Sequence, residues 1–179
     1  MTRYVSQGIT LIEMMIVIVI LSILLAIAVP NFSNLILSNQ ISSNASDFID
    51  TLRIAKTESN AKLTPVTVCV RNNNGDDCDA AATWSNGWIA FLDNNGDTTV
   101  DNGETIIYEY EALGQQITVN TEDRNGNPVT VRQISYTPNG GTDLNVATRF
   151  IFGNQDGTIN RRIHVTVAGH ASPCSTGGC

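Results

Sequence analysis

Residues 1–32 read MTRYVSQGITLIEMMIVIVILSILLAIAVPNF, and this stretch decides the architecture of the chain. Between Met14 and Val29, 15 of 16 residues are apolar, with Ser22 the exception. A cleaved secretory signal is one reading, with a basic start, an apolar core and a small-x-small site at Ala26-Ile27-Ala28. Glu13 argues against it, because it abuts the apolar core where such signals carry positive charge. A simple membrane anchor is a second reading. A helix over Met14–Val29 would span about 24 Å, short of a hydrocarbon core of about 30 Å. Counting back to Ile9 gives about 31 Å, but places Glu13 in the bilayer, where a carboxylate is costly and normally functional.

The rest of the chain is polar. Of 179 residues 42% are hydrophobic, but the apolar block holds so many that only about 60 of the other 163 are. Ten Lys+Arg against seventeen Asp+Glu give a formal charge of −7, which disfavours a general nucleic-acid binder, since phosphate contact needs clustered cations. No basic residue lies between Arg71 and Arg124, whereas Asp76, Asp77, Asp79, Asp93, Asp97, Asp101, Glu104, Glu109 and Glu111 do. Arg124, Arg132, Arg149, Arg161 and Arg162 follow later. Four cysteines form two close pairs, Cys69 with Cys78 and Cys174 with Cys179. An even count in a polar, exported domain reads as a disulfide framework, and of three connectivities the sequential one is expected. Neither spacing is Cys-x-x-Cys and the histidines are only His164 and His170, so zinc is disfavoured.

Helical periodicity continues past the apolar block. Ile41, Ala45, Phe48, Leu52 and Ala55 recur at three- and four-residue steps, an apolar stripe for a head domain. Ser43, Asn44, Asp50, Arg53 and Glu58 cover the other faces. One helix is therefore predicted over 9–62, about 80 Å long, with Pro65 as its stop and Pro30 inside it as a bend or a local melt. Beyond it, 63–179 reads as a β-rich head. Strands are predicted at 66–70, 88–92, 105–110, 117–119, 129–131, 149–152 and 163–167. Asn-Gly at 95–96, 102–103, 125–126 and 139–140, and Asp156-Gly157, mark the turns. The fold class is α+β, a long N-terminal helix packed on antiparallel sheet.

The string Gly8-Ile9-Thr10-Leu11-Ile12-Glu13, then an apolar run, then Pro30, resembles the class III signal of type IV pilins and pseudopilins. The resemblance implies a type IV pilin-like fold and cleavage between Gly8 and Ile9 by a prepilin peptidase. The leader 1–8 is lost, the new N-terminus is methylated, and 9–29 serves as membrane segment and then filament core. Ile9 departs from the usual phenylalanine. Glu13 and Pro30 fall at the family's assembly positions. The implied setting is a single-pass inner-membrane protein with a periplasmic head. It is held by lipid before assembly, then joined through an assembly platform to major and minor pilins or pseudopilins.

Leu52-Arg53-Ile54-Ala55-Lys56-Thr57-Glu58-Ser59, Trp84-Ser85-Asn86-Gly87-Trp88 and the Phe152–Gly157 spacing resemble the FimT/FimU minor pilins and the secretion pseudopilin GspH. A minor pilin acting at the filament tip is the expected role, with a type II secretion pseudopilin as the alternative. Trp84 and Trp88 are expected in the core. Some FimT-like relatives bind DNA through Gly-Arg-x-Arg, but Gly169-His170-Ala171-Ser172 stands here without either arginine. DNA binding is thus not carried over, and Arg149, Arg161 and Arg162 are the residues left to make a cationic patch for it.

Asp93, Asn95, Asp97, Asp101 and Glu104 occupy positions 1, 3, 5, 9 and 12 of an EF-hand-like loop, which makes calcium the one cofactor to test. Thr98 replaces the glycine of position 6, and strands flank the loop, so an acidic hairpin turn is the favoured reading. No Gly-x-Ser-x-Gly, His-Glu-x-x-His or phosphate loop occurs, and no enzyme activity is expected.

Overall fold

Helix α1 runs over Leu11–Lys62 and ends where Leu63 turns to a φ of 55°, a left-handed conformation that closes helices, just before Pro65. The Ser59 hydroxyl donates to the Thr64 carbonyl and so ties the last turn to the chain leaving it. The computed structural model describes residues 9–175 and 179, with the backbone alone at 27–31. Gly8 and the rest of the leader lie outside the described residues, as does the side chain of Pro30, whose backbone is helical within α1. The chain divides into two units, Met1–Leu37 and Ser38–Cys179.

In the second unit the β-runs form two four-stranded antiparallel sheets. The first has the order β3-β2-β1-β5, from β1 (Val66–Val70), β2 (Trp88–Leu92), β3 (Ile106–Tyr110) and β5 (Gln133–Tyr136). The second is β4-β6-β7-β8, from β4 (Ile117–Asp123), β6 (Thr148–Asn154), β7 (Asn160–Val165) and β8 (Ala171–Pro173).

The apolar stripe on α1 is buried as its spacing requires. Ile41, Phe48 and Ala55 are 0% exposed, Leu52 is 1% and Ala45 is 5%. Phe48 is the centre of the core, with its ring centroid 4.9–5.5 Å from those of Trp84, Trp88, Phe150 and Phe152. It thus joins α1 to both sheets. Thr51 and Ser59 share the buried face and are satisfied there: Thr51 Oγ1 accepts from Trp88 Nε1 at 3.0 Å, and Ser59 donates to the Tyr136 carbonyl. Both tryptophans are core residues. Gly87 separates them at a φ of 89°, and a Cβ there would lie 2.2 Å from the Tyr110 carbonyl oxygen, so only glycine fits.

Cys69, Ile89 and Phe91 face away from α1 and form a small second core with Cys78, Val100 and Ile106. Two loops cover it, 72–79 and 93–104.

One predicted strand is not formed. Residues 129–131 cross between the sheets rather than joining one. Their polar groups are used singly: Val129 N–H donates to Thr121 O, and Val131 O accepts from Trp84 Nε1 at 2.7 Å. The alternation of Val129 and Val131 is real but serves the seam, and the true strand begins at Gln133.

Candidate functional site

At the stem, Thr10 caps α1, its hydroxyl accepting the Glu13 N–H at 3.3 Å. Thr-x-x-Glu is a capping signature visible in the sequence, and it places the Glu13 carboxylate in the first turn, where the helix dipole favours an anion. Among the described residues no side chain partners that carboxylate. The large apolar side chains from Ile9 to Leu25 are 45–78% exposed in the lone subunit, an area soluble monomers do not leave uncovered. Among the described residues no helix is long and apolar enough to cross a membrane. The described side chains from Leu11 to Ala26 cover 16 residues, about 24 Å of helix.

The acidic loop closes on itself. Asp93 is fully buried and accepts from Gly96 N–H at 2.7 Å, Thr98 N–H at 3.2 Å and the Thr67 hydroxyl at 2.8 Å. Thr98 holds a φ of 68°, the left-handed conformation that a glycine at this place would adopt more easily. Asn95 Nδ2 donates to Asp97 and Asp101, while Glu104 accepts from the amides of Asn94 and Asp101. Hydrogen bonds from the Thr99 hydroxyl and amide hold the Asp97 carboxyl below its ordinary range. Among the described residues no three His, Cys, Asp or Glu side chains gather to hold a metal. Asp93 is the post of the hairpin between β2 and β3. Asp93→Ala is expected to cost about 1–3 kcal/mol by leaving buried donors unmatched, and millimolar calcium added to chelated protein should leave the melting temperature unchanged; thermal unfolding measures both.

The three candidate arginines come to one open cleft of about 520 Å³, which Asn160, Cys174 and Cys179 also line. Arg149 is committed inward. Its side chain is 15% exposed, pairs with Glu122 at 3.3 Å and donates to the carbonyls of Asp123 and Arg124. It therefore braces β4 against β6, and only Arg161 and Arg162 are left exposed there.

Disulfides join Cys69 to Cys78 and Cys174 to Cys179. The first pins loop 72–79 over the outer core, and its short loop sets its value. Reducing it, or Cys69→Ser with Cys78→Ser, should lower stability by about 2–3 kcal/mol in denaturant unfolding. Tyr110, a strand residue in the sequence, gains a role that only the tertiary structure shows. Its hydroxyl donates to Asn44 at 2.9 Å and Asp47 at 3.0 Å, and burial together with the Asp47 carboxylate pushes it up to about 12. Its ring stacks on Trp88 at 4.3 Å, so it clamps the free end of β3 to α1.

The helix, two sheets and disulfide-pinned loop can be set beside known proteins. The family described as type II transport protein GspH matches residues 44–169, from the second half of α1 through Gly169. The chain belongs to the GspH family. Residues 3–29 match the prokaryotic N-terminal methylation motif, so the chain is a pilin- or pseudopilin-type protein. The fold of the GspH-family head agrees. The type IV minor pilin FimU of Pseudomonas aeruginosa (strain PAO1) aligns with a TM-score of 0.55 at 15% identity, over 78% of this chain and 91% of that one. The minor pseudopilin EpsH from the Type 2 Secretion System of Vibrio cholerae aligns at 0.53 and 8% identity, over 77% of this chain and 98% of that one. At these identities the likeness is one of fold. No curated protein matches the chain by sequence.

Proposed function

We propose that the protein is a structural, non-enzymatic minor subunit of a type IV pilus-type filament, made as a prepilin and acting at or near the filament tip. The methylation motif over residues 3–29 carries the reading, because it marks an apolar stem that is kept rather than discarded. The exposed side chains from Ile9 to Leu25 supply the physical reason: they need lipid before assembly and the stems of other subunits after it. In this reading a prepilin peptidase cuts between Gly8 and Ile9 at the inner membrane, and an assembly platform lifts the subunit into the filament while the head stays periplasmic. Glu13, set in the first turn of α1, meets the methylated amine of a neighbouring subunit. Pro30 lies within the continuous helical stem, where its missing N–H removes one backbone bond and loosens the helix locally against its neighbours.

A type II secretion pseudopilin is the second reading, favoured by the description of the matching family. A deletion strain complemented with the wild-type gene separates them. Loss of pili with normal exoprotein release supports the pilus subunit, and the reverse supports the secretion pseudopilin. Normal pili and normal release would sink both. DNA uptake has weaker support, since the motif position lacks both arginines and Arg149 is engaged internally. A gel shift with the purified protein at low salt tests it, and no shift removes it.

A further inference from the structure

A sheet edge is a row of unpaired N–H and C=O groups, and soluble proteins cover or blunt it. Among the described residues, three of the four sheet edges in this head are so treated. The outer side of β5 is taken by the 141–143 segment, with Asp143 N–H donating to Ser135 O, Ser135 N–H to Asp143 Oδ1 and Thr137 N–H to Gly141 O. Along β4, Val129 N–H reaches Thr121 O, Asp123 N–H reaches Asn127 O and Val119 N–H reaches the Ser85 hydroxyl. At β8 the bonds from Cys174 N–H to Arg162 O and from Thr166 N–H to His170 O turn Ser172 inward, so positions 171 and 173 point out. Position 173 is proline and offers no donor.

Among the described residues nothing bonds to the outer side of β3, and the bulge at Ile107 is the one irregularity along it. The bonds from Arg71 N–H to Gly87 O and from Asp93 N–H to Pro65 O bracket the pair of β1 and β2, which assigns Ile89 and Phe91 to β1. Trp88 and Ala90 then bond to Tyr110 and Tyr108 of β3. The N–H and C=O of Glu109 between them therefore face outward; the pairing then steps from Tyr108 to Ile106, which makes Ile107 the bulged residue, and resumes with Leu92 N–H donating to Thr105 O.

The surroundings of this edge carry one sign of charge. Glu109 and Glu111 are exposed, the acidic 93–104 loop leads into β3, and no basic residue lies between Arg71 and Arg124. Arg71 itself is 11% exposed and pairs with Glu109 at 3.3 Å. From α1, Asn44 and Asp47 face the end of the strand. A groove of about 510 Å³ continues past Tyr110, between Gln40 and Asn44 on one side and Glu111 to Gly114 on the other.

We propose that the outer edge of β3 receives an extended segment of another protein subunit, added as a fifth strand, whose side chains are basic. Backbone pairing supplies the binding and the acidic rim selects the charge. A second copy of this chain is the wrong occupant, because pairing β3 with itself opposes like charges. The proposal leans on the filament reading only in expecting the segment from a neighbouring subunit.

The test uses the full chain in detergent micelles and two synthetic seven-residue peptides of alternating valine with lysine or with glutamate. Amide hydrogen exchange is the readout. The lysine peptide is expected to slow exchange at Glu109 about tenfold or more, with Ala171 unchanged and the glutamate peptide inert. Glu109→Gln with Glu111→Lys keeps the backbone and should weaken the lysine peptide about tenfold. Protection by neither peptide, equal protection by both, or binding without slowed amides at β3 would overturn the proposal. So would protection that grows with protein concentration in the absence of peptide, since the occupant would then be a second copy. These readouts do not depend on piliation or secretion, so failure here and failure of the filament reading are distinct results.

Discussion

Phe48→Ala should lower the stability of the protein by about 3–5 kcal/mol in denaturant unfolding, the largest loss expected from any single side chain of the head. The ring is 0% exposed and touches four aromatic rings, two from the region of β2 and two from β6. Truncation therefore opens a cavity where α1 and both sheets meet, and none of the rigid neighbours can collapse into it without leaving its rotamer. Edge-to-face contacts with Trp84 and Trp88 add to the loss beyond the buried area. Phe48→Leu refills much of the volume and should cost markedly less. Near-ultraviolet dichroism of the two tryptophans should weaken in the alanine variant while helical signal persists. A loss below about 1 kcal/mol would show that the ring is not what joins helix to sheets.

What the sequence made legible follows from range. The stripe from Ile41 to Ala55 and the stop at Pro65 are local patterns, and the helix ends at Lys62 as they require. Strands at 66–70 and 88–92 stand where predicted because both lie in buried apolar runs flanked by turn residues. The division into two sheets was not legible, since it depends on which distant strands pair. Residues 129–131 show the limit: their alternation looks like a strand, but their partners, Thr121 and Trp84, are set by the tertiary fold. β8 was missed because three residues containing a proline carry no strand signal. In the acidic loop the spacing of oxygen ligands was visible, but the burial of Asp93 under Thr67 was not. Arg149 likewise reads as a surface cation until Glu122 is brought beside it by the pairing of β4 with β6.

Glu13→Gln should leave the precursor processed and membrane-inserted but reduce its incorporation into filaments by about a hundredfold or more. The substitution keeps size, helix propensity and the Thr10 cap, whose bond is to the Glu13 amide and not to its side chain. What it removes is charge. Among stems packed together, a carboxylate stripped of water is tolerated only opposite a cation, and in the proposed filament the amine freed at Ile9 of a neighbouring subunit is that cation. Breaking such a pair from one side costs about 3–5 kcal/mol, which is the factor expected here. The glutamine is cheaper to bury, but the orphaned amine is not, so the loss falls on the contact rather than on the monomer. Glu13→Asp keeps the charge on a shorter arm and should retain part of the function. Immunoblots of sheared filaments and of membranes, read beside the size of the processed band, measure incorporation and cleavage separately. Equal incorporation of the glutamine variant would remove the ion pair from the assembly mechanism. Failed cleavage would instead place Glu13 in peptidase recognition.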